Sequence, residues 1–211
     1  MQNKIKHELR QVISGKSQVR FGGTIQAITR HLGEGPSSGP KAEKPKQFRN
    51  KEAESLNKII FENNLWIDDL DFSKFISQGA EQRVFLKDSQ TVLKLNDAIY
   101  YGSWKDYFHN LLLHNYFFPD TAYQLFGFTL ENDTLYSVVN QAYVLTNEST
   151  DLKEVKLFLQ YNGFINTRNN DYFNSELGII LEDLHEENVL TKNGLLYFID
   201  TVFYLTKEFW S

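Results

Sequence analysis

Residues 177–205 read LGIILEDLHEENVLTKNGLLYFIDTVFYL, and this stretch carries most of the information about the fold. Two short apolar runs, NVLT and LLYFID, flank the tripeptide Lys-Asn-Gly, and Asn-Gly between such runs is a strong signal for a β-hairpin. The hairpin would bring Asp200, which ends the second run, back beside Asn188, which starts the first. The stretch therefore predicts that these two polar side chains meet at one edge of a hairpin.

Three polar side chains of this stretch have the chemistry of a phosphotransfer site. The carboxylate of Asp183, in EDLHEENVL, is suited to orient or deprotonate an attacking hydroxyl. The amide oxygen of Asn188, five residues later, and the carboxylate of Asp200 are suited to hold a magnesium ion. The alternative interpretation is structural: a polar loop that caps its own backbone, followed by an aspartate that forms a turn after a strand.

Two further candidates lie upstream, in short runs of strand character. Gly79, in QGAEQRVF, falls at a turn where a glycine lets backbone amides approach a phosphate closely, although a lone glycine also suits an ordinary turn. Lys94, in TVLKLN, either faces solvent or neutralises nucleotide phosphates. Phosphoryl transfer requires that phosphates are held, that their charge is neutralised and that a hydroxyl is aimed, and the candidates supply these roles once each.

The remaining patterns predict an α+β domain. SKFIS, QRVFLK and TVLKLN predict a three-stranded meander, and YQLFGFTLEND with TLYSVVNQAYVL predicts two more strands. Between them a helix is predicted over residues 103–118, ending before Pro119 because proline disfavours helix in the preceding residue. Further helices are predicted at 2–13, 24–32, 52–66 and 150–163, and a polar stretch, NTRNNDYFNS, follows the last of them.

Composition divides the chain into a short basic helical segment at residues 1–33, a linker rich in Pro, Gly and Lys at 34–50, and a compact domain at 51–211. Residues 1–50 carry 10 Lys and Arg against 3 Asp and Glu, a net charge of +7, whereas residues 51–211 carry 12 against 24, a net charge of −12. Such a basic arm can hold nucleic acid through phosphates, or a partner protein. It is also compatible with a solvated tail or with an arm that rests on the acidic body.

The chain contains no cysteine, which excludes disulfides, thiol catalysis and thiolate metal sites. No apolar run approaches the roughly 20 residues that a membrane-spanning helix needs, and the polar N-terminus lacks the apolar segment of a secretory signal. A soluble, cytoplasmic protein without a membrane partner is therefore expected.

The motifs together resemble those of the protein-kinase superfamily. The loop DLHEENVL resembles the DLHxxNVL loop of aminoglycoside-phosphotransferase-like kinases, and QGAEQRVF resembles the reduced glycine loop, GxExxVY, of small atypical kinases such as the Rio type. The stretch from about 60 to 205 resembles the polyvalent protein kinase domains of bacterial mobile elements and phages. This resemblance implies a minimal two-lobe kinase-like fold, with an antiparallel N-lobe sheet plus one helix and a truncated helical C-lobe with a β-hairpin, preceded by the basic arm.

For the N-terminal half, the resemblance implies a site for ATP. Its phosphates would be covered by Gly79, Ala80, Glu81, Gln82 and Arg83, and Lys94 would contact the α- and β-phosphates. Residues 138–141, which include Val139 and Gln141, would form the hinge where adenine receives backbone hydrogen bonds.

For the C-terminal half, the resemblance implies that Asp183 is the catalytic carboxylate and that Asn188 and Asp200 are ligands of Mg²⁺. His185 is either a further catalytic group, as a base or a phosphate acceptor, or a residue that packs in the loop and orients Asp183.

The sequence departs from the kinase pattern in several places. Gln82 stands where a second glycine is usual, and the helix at 103–118 contains no glutamate to pair with the lysine, so that Asp106 or Glu81 would have to replace it. Only eleven residues follow Asp200, too few for the usual activation segment and late helices that receive a protein substrate.

Two classes of function remain open at this point. One is an ATP- and Mg²⁺-dependent kinase that acts on a hydroxyl of a protein or small molecule. The other is a catalytically weak pseudokinase or binding module of a mobile element, which regulates a partner or contacts nucleic acid through residues 1–50. ATP turnover that is abolished by a change at Asp183 would distinguish the first from the second.

Overall fold

The computed structural model describes residues 2–33, 45–79 and 82–211. Ala80 and Glu81, and residues 34–44 of the predicted linker, lie outside the described residues. The helices are α1 (Gln2–Ile13), α2 (Gly22–Gly33), α3 (Pro45–Glu62), α4 (Trp104–Phe117), α5 (Leu152–Tyr161) and α6 (Lys207–Trp210), with single 3-10 turns at Phe72–Lys74 and Pro119–Thr121. The strands are β1 (Phe75–Gln78), β2 (Gln82–Leu86), β3 (Thr91–Asn96), β4 (Gln124–Glu131), β5 (Thr134–Ala142), β6 (Ile165–Arg168), β7 (Asp171–Asn174), β8 (Ile179–Glu182), β9 (Val189–Lys192), β10 (Leu195–Phe198) and β11 (Val202–Leu205).

The N-lobe is a five-stranded antiparallel sheet with α4 packed against it. The strand order is β1-β2-β3-β5-β4, which confirms the predicted meander, helix and second hairpin. The α4 helix begins after Ser103, whose side chain accepts a hydrogen bond from the backbone N–H of Asp106, and it ends before Pro119. Stacked aromatic rings of Trp104 and Phe108 on α4 join it to Phe128 on β4.

The C-lobe combines α5 with two antiparallel sheets. One is a β9–β10 hairpin, whose turn residues Asn193 and Gly194 both have positive φ, as a two-residue turn of this kind requires. The other has the order β11-β8-β7-β6. The two-lobe α+β architecture and the hairpin are confirmed.

The β6–β7 hairpin replaces what the sequence predicted only as a polar stretch. Its inward positions are few, because β6 lies at the exposed edge of the sheet and only Tyr172 and Asn174 of β7 are buried. Such a short alternation carries little signal in the sequence. The C-lobe therefore contains more strand than expected.

The N-terminal segment packs against the rest of the chain. Leu9 and Val12 of α1 and Ile28 of α2 are buried in the same core as Leu112 of α4. The backbone carbonyls at the C-terminal end of the chain accept hydrogen bonds from two basic side chains of α1: Lys6 donates to Glu208, and Arg10 to Phe209 and Ser211. Of the structural alternatives, the arm that rests on the body is thus the one observed for α1.

The α3 helix begins at Pro45, seven residues earlier than predicted, so that residues 45–50 of the predicted linker are helical. Its C-terminal half packs Leu56, Ile59 and Ile60 into the same core. The division of the chain into three segments stays a prediction. Within the described residues, none of the helices combines the length and the apolar character that crossing a bilayer requires.

Candidate active site

A cavity of about 310 Å³ opens between the two lobes. Its N-lobe wall comes from β1, β2, β3 and the end of β5, and its C-lobe wall from the residues just before β9 and just after β10. This volume lies at the lower end of the range typical of small-molecule sites. Six residues that the sequence predicted for the site line the cavity: Gly79, Gln82, Lys94, Gln141, Asn188 and Asp200.

Lys94, Ile199 and Asp200 form one corner of this cavity, which we call the lysine corner. The side chain of Lys94 is only 5% exposed, so the prediction that it faces solvent is wrong. Its Nζ donates to the carbonyl of Ile199 at 2.8 Å and lies 3.6 Å from Oδ2 of Asp200. Burial lowers the pKa of Lys94, and the neighbouring Asp200 carboxylate opposes that effect.

Residues 183–188 form a second polar group, the Asp183 loop. Asp183 has a positive φ of 65°, and its side chain is 56% exposed. The side-chain amide of Asn188 donates to the Asp183 carbonyl at 2.8 Å and to its Oδ2 at 2.9 Å. The side chains of the loop are therefore held to one another over short sequence distances, while its backbone is also tied to the turn before β7, where the Leu184 N–H donates to the Asn170 carbonyl at 3.2 Å.

His185 contacts the other carboxylate oxygen of Asp183. Its Nε2 lies 3.3 Å from Asp183 Oδ1, and the backbone N–H of Glu187 donates to its Nδ1. The side-chain amide of Asn188 also lies 3.1 Å from His185 Nε2, so Asp183, His185 and Asn188 form one cluster. The role of His185, as a catalytic group or as a residue that orients Asp183, stays a prediction.

The β9–β10 hairpin joins the Asp183 loop to the lysine corner. The carbonyl of Asn188 accepts hydrogen bonds from the backbone N–H groups of Ile199, at 2.9 Å, and Asp200, at 3.3 Å. The hairpin signal of the sequence thus places Asp200 beside Asn188, as predicted.

Arg83 is not brought into the cavity. Strand residues alternate between two faces, and Gln82 and Val84 of β2 line the cavity, so Arg83 projects from the opposite face. There it forms an ion pair with Glu131, and its guanidinium lies 4.7 Å from the ring centre of Tyr136. The hydrogen bond to Glu131 raises the pKa of Arg83. Its assignment to the phosphates is therefore corrected.

Of the two named residues of the predicted hinge, Gln141 lines the cavity and Val139 does not. Val139 pairs with Lys94 across β3 and β5 and is buried in the core, away from the cavity. β5 continues to Ala142, and the residues that border the cavity after Gln141 are Ala142, Tyr143 and Val144. The strand extends further because Tyr143 N–H still donates to the carbonyl of Gln90.

A family model described as "Serine/Threonine/Tyrosine Kinase found in polyvalent proteins" matches residues 49–207, about three quarters of the chain. The chain belongs to this kinase family. No curated protein and no solved structure gave a match. Membership of this family supports a kinase-type function.

This polyvalent-protein kinase differs from the usual kinase arrangement at α4. Asp106 accepts a hydrogen bond from Ser103 at the start of its own helix, so it does not replace the glutamate that would pair with Lys94. Instead, α4 is bonded to the chain beyond Asp200. Asn110 Oδ1 accepts from the Phe203 N–H at 2.9 Å, and His114 Nδ1 lies 2.7 Å from Thr201 Oγ1.

Asn110 and His114 were missed as site-supporting residues. They lie four positions apart and therefore share one face of α4. This spacing is the feature of the sequence that could have indicated that they act together. Burial lowers the pKa of His114 to about 3, so the imidazole is neutral at physiological pH. Tyr123 adds a further bond, from its hydroxyl to the Ile199 carbonyl at 2.9 Å. The lysine corner is thus fixed by side chains of the N-lobe.

The side-chain oxygens of Asp200 and Asn188, where the lysine corner meets the Asp183 loop, are of the kind that binds Mg²⁺. Because the Asn188 amide nitrogen is bonded to Asp183, its Oδ1 is oriented away from that residue. Within the described residues, no group of three or more His, Cys, Asp or Glu side chains is arranged to hold a metal. One carboxylate and one amide oxygen fit an ion that arrives with nucleotide phosphates, since Mg²⁺ is often held by one or two protein oxygens plus phosphates.

Proposed function

We propose that this protein is an ATP- and Mg²⁺-dependent phosphotransferase that acts on a hydroxyl group. The observation that carries the proposal is that Lys94, Asn188 and Asp200 line one cleft between two lobes, with Asp183 hydrogen-bonded to Asn188 beside it. Phosphoryl transfer depends mainly on positioning and charge, and these four side chains provide both.

Lys94 is the residue suited to bind phosphate. Asp200 is the carboxylate that lies beside this buried cation in the described part of the chain, and an incoming phosphate would add further negative charge whose attraction to Lys94 is strengthened by burial. Ala142, Tyr143 and Val144 border the same cavity, so a planar base would lie against this part of the chain. These features support binding of a nucleoside triphosphate.

Asp183 is the residue suited to act on the acceptor. Its carboxylate is exposed, and the amide of Asn188, which donates to it, and the neighbouring His185 hold its orientation, so it can accept the proton of a hydroxyl that approaches from solvent. Asn188 and Asp200 would hold Mg²⁺, which neutralises phosphate charge when it is bound. The acceptor is a hydroxyl on a protein or a small molecule.

The proposal is tested by thermal unfolding with ATP and Mg²⁺, with ATP and EDTA, and without ligand. ATP at about 100 times its dissociation constant should stabilise the wild type by roughly 2.7 kcal/mol when Mg²⁺ is present. Asp200→Asn should lose this magnesium-dependent stabilisation. Asp133→Asn, an exposed change in the β4–β5 turn at a residue with positive φ, is the matched control and should retain it.

A wild type that is not stabilised under any of these conditions would contradict the proposal. Equal stabilisation of the wild type and Asp200→Asn would place the nucleotide elsewhere.

A pseudokinase is the second candidate, and the arrangement of α4 favours it. Lys94 has Asp200 as its ion-pair partner rather than a glutamate of α4. A protein of this kind would bind nucleotide without turning it over. Contact of residues 1–50 with nucleic acid stays a prediction, and two of their basic side chains, Lys6 and Arg10, are already bonded to the C-terminal end of the chain.

A further inference from the structure

Gln82 spans the cleft from one lobe to the other. It is the first residue of β2 in the N-lobe, and its Nε2 donates to Oδ2 of Asp200, 118 residues later in the C-lobe. The same carboxylate oxygen is the one that lies 3.6 Å from Nζ of Lys94. Two N-lobe side chains therefore converge on a single oxygen of Asp200.

The side chain of Gln82 reaches this position because of the register of the sheet. Val84 pairs with Lys94 across β2 and β3, and Gln82, two residues before Val84, projects from the same face toward the cavity. A glycine at position 82 would have no side chain to make the contact. The glutamine that departs from the usual glycine pattern is thus the residue that bridges the lobes.

The bond has a consequence for metal binding. An amide donor occupies one of the two lone pairs of a carboxylate oxygen, and it therefore competes with a cation that binds the same oxygen. A hydrogen bond to a charged acceptor is stronger than a neutral one, so it must be broken or rearranged before that oxygen ligates an ion. In the proposed reaction Lys94 remains beside the phosphates, whereas Gln82 has no role that requires it to keep its hydrogen bond to Asp200.

We propose that Gln82 is a positioning residue that holds Asp200 in the ligand-free cleft and competes with Mg²⁺ for its Oδ2. This inference rests on the proposed function, because it takes Asp200 as a ligand of the ion that accompanies ATP. Its direct consequence is that the magnesium requirement for nucleotide binding is set in part by Gln82.

The experiment is a titration of MgCl₂ at a fixed, saturating ATP concentration, followed by thermal unfolding of the full chain. Gln82→Ala removes the side chain, and Gln82→Met keeps its length but removes the donor. Both variants should reach half of the full stabilisation at about three- to tenfold less Mg²⁺ than the wild type, as expected for loss of one hydrogen bond to a carboxylate.

Gln90→Ala is the matched control, since Gln90 lies in the exposed turn between β2 and β3 of the same lobe. Its magnesium midpoint should equal that of the wild type. Unfolding of all variants without ligand shows that each one is folded.

The outcomes separate this inference from the proposed function. If the wild type responds to Mg²⁺ but both Gln82 variants keep its midpoint or raise it, the inference is overturned and the proposed function stands. If the magnesium midpoint falls in Gln82→Ala but not in Gln82→Met, the size of the side chain and not its hydrogen bond is responsible, and the inference is again overturned. A wild type without any magnesium-dependent shift overturns both.

Discussion

The lysine corner and the Asp183 loop lie next to each other in the cleft but are built in different ways. The corner is largely buried, and its bonds join residues more than 100 positions apart, such as Lys94 to Ile199 and to Asp200. The loop is mostly exposed, and the contacts between its side chains join Asp183 to His185 and Asn188, at most five positions away. The corner therefore depends on the packing of the whole domain, whereas most of the loop's geometry is local.

This contrast suggests a division of labour in the proposed reaction. A buried, long-range corner suits the fixed binding of phosphates, because burial strengthens charge interactions. An exposed loop suits an acceptor that must enter from solvent. Changes in the two regions should consequently have separable effects on binding and on turnover.

The largest expected effect is that of Asp183→Asn on turnover. Loss of the carboxylate that accepts the hydroxyl proton should lower the rate of ATP consumption by about 10²- to 10⁴-fold. Because Asp183 lies outside the lysine corner, magnesium-dependent stabilisation by ATP should persist in this variant. The two readouts are ATP turnover, measured by phosphate release or autophosphorylation, and thermal unfolding.

An unchanged turnover rate in Asp183→Asn would favour the pseudokinase or a contaminating activity. Loss of nucleotide binding together with turnover would show that the loop and the corner do not act separately.

Asn110→Ala should disturb the corner from α4. The change leaves the buried N–H of Phe203 without its acceptor, which should cost about 1 to 3 kcal/mol of unfolding free energy. Since β11 follows directly on Asp200, stabilisation by ATP and Mg²⁺ should weaken as well. Urea unfolding with and without the ligand measures both effects.

Asn147→Ala is the control for this change, because Asn147 is exposed and lies outside the helices and strands. If Asn110→Ala unfolds like this control, the bond from α4 does not hold the corner.

Glu52→Gln tests the support of α4 from the other side. Glu52 is buried on α3, and its Oε2 accepts from the Trp104 N–H at 2.8 Å, while its Oε1 is buried and has no hydrogen-bond partner among the residues that the structure describes. Burial raises the pKa of Glu52 to about 7, from about 4.5 in the unfolded chain. Between these two values the folded state holds a proton that the unfolded state releases, so stability falls as pH rises from about 4.5 to 7.

Glu52→Gln has no carboxylate to titrate, so its stability should not fall in this way as the pH rises. It should be more stable than the wild type by about 1 to 2 kcal/mol at pH 8, and the difference should shrink toward pH 5. Thermal or urea unfolding at several pH values measures the trend. A difference that does not change with pH would mean that Glu52 titrates normally.

The smallest effect is expected for Arg83→Ala, which lies outside both regions. The partly buried ion pair with Glu131 and the contact with Tyr136 should contribute about 1 kcal/mol to stability. Nucleotide binding, measured as ATP-dependent stabilisation, should be unchanged. Weaker ATP binding in this variant would return Arg83 to the phosphate site.

Much of the Asp183 loop and its hairpin was predictable from the sequence because the signals are local. Asn193-Gly194 specifies a tight turn, and the turn brings Asp200 back to Asn188 whatever surrounds it. Ser103 and Pro119 likewise set the limits of α4 through effects on neighbouring residues. These elements, and the order of the N-lobe strands, could be read without knowledge of distant contacts.

The lysine corner could not be read in this way. Lys94 lies between Leu93 and Leu95, so the alternation of polar and apolar residues did not say which face of β3 is buried. The resemblance to kinases put Arg83 on the phosphates, although its partners, Glu131 and Tyr136, lie on the β4–β5 hairpin. Only the pairing of strands distant in sequence decides these orientations.

The sequence by itself thus determined the turns, the helix limits, the kinase-like order of candidate residues and the meeting of Asp200 with Asn188. The tertiary structure decided that Lys94 faces the cleft, that Asn110 and His114 anchor α4 to the chain after Asp200, and that Gln82 reaches across to Asp200. The physical reason is range: turn and capping preferences act over a few residues, whereas burial and side-chain pairing are set by elements that meet only when the chain is packed.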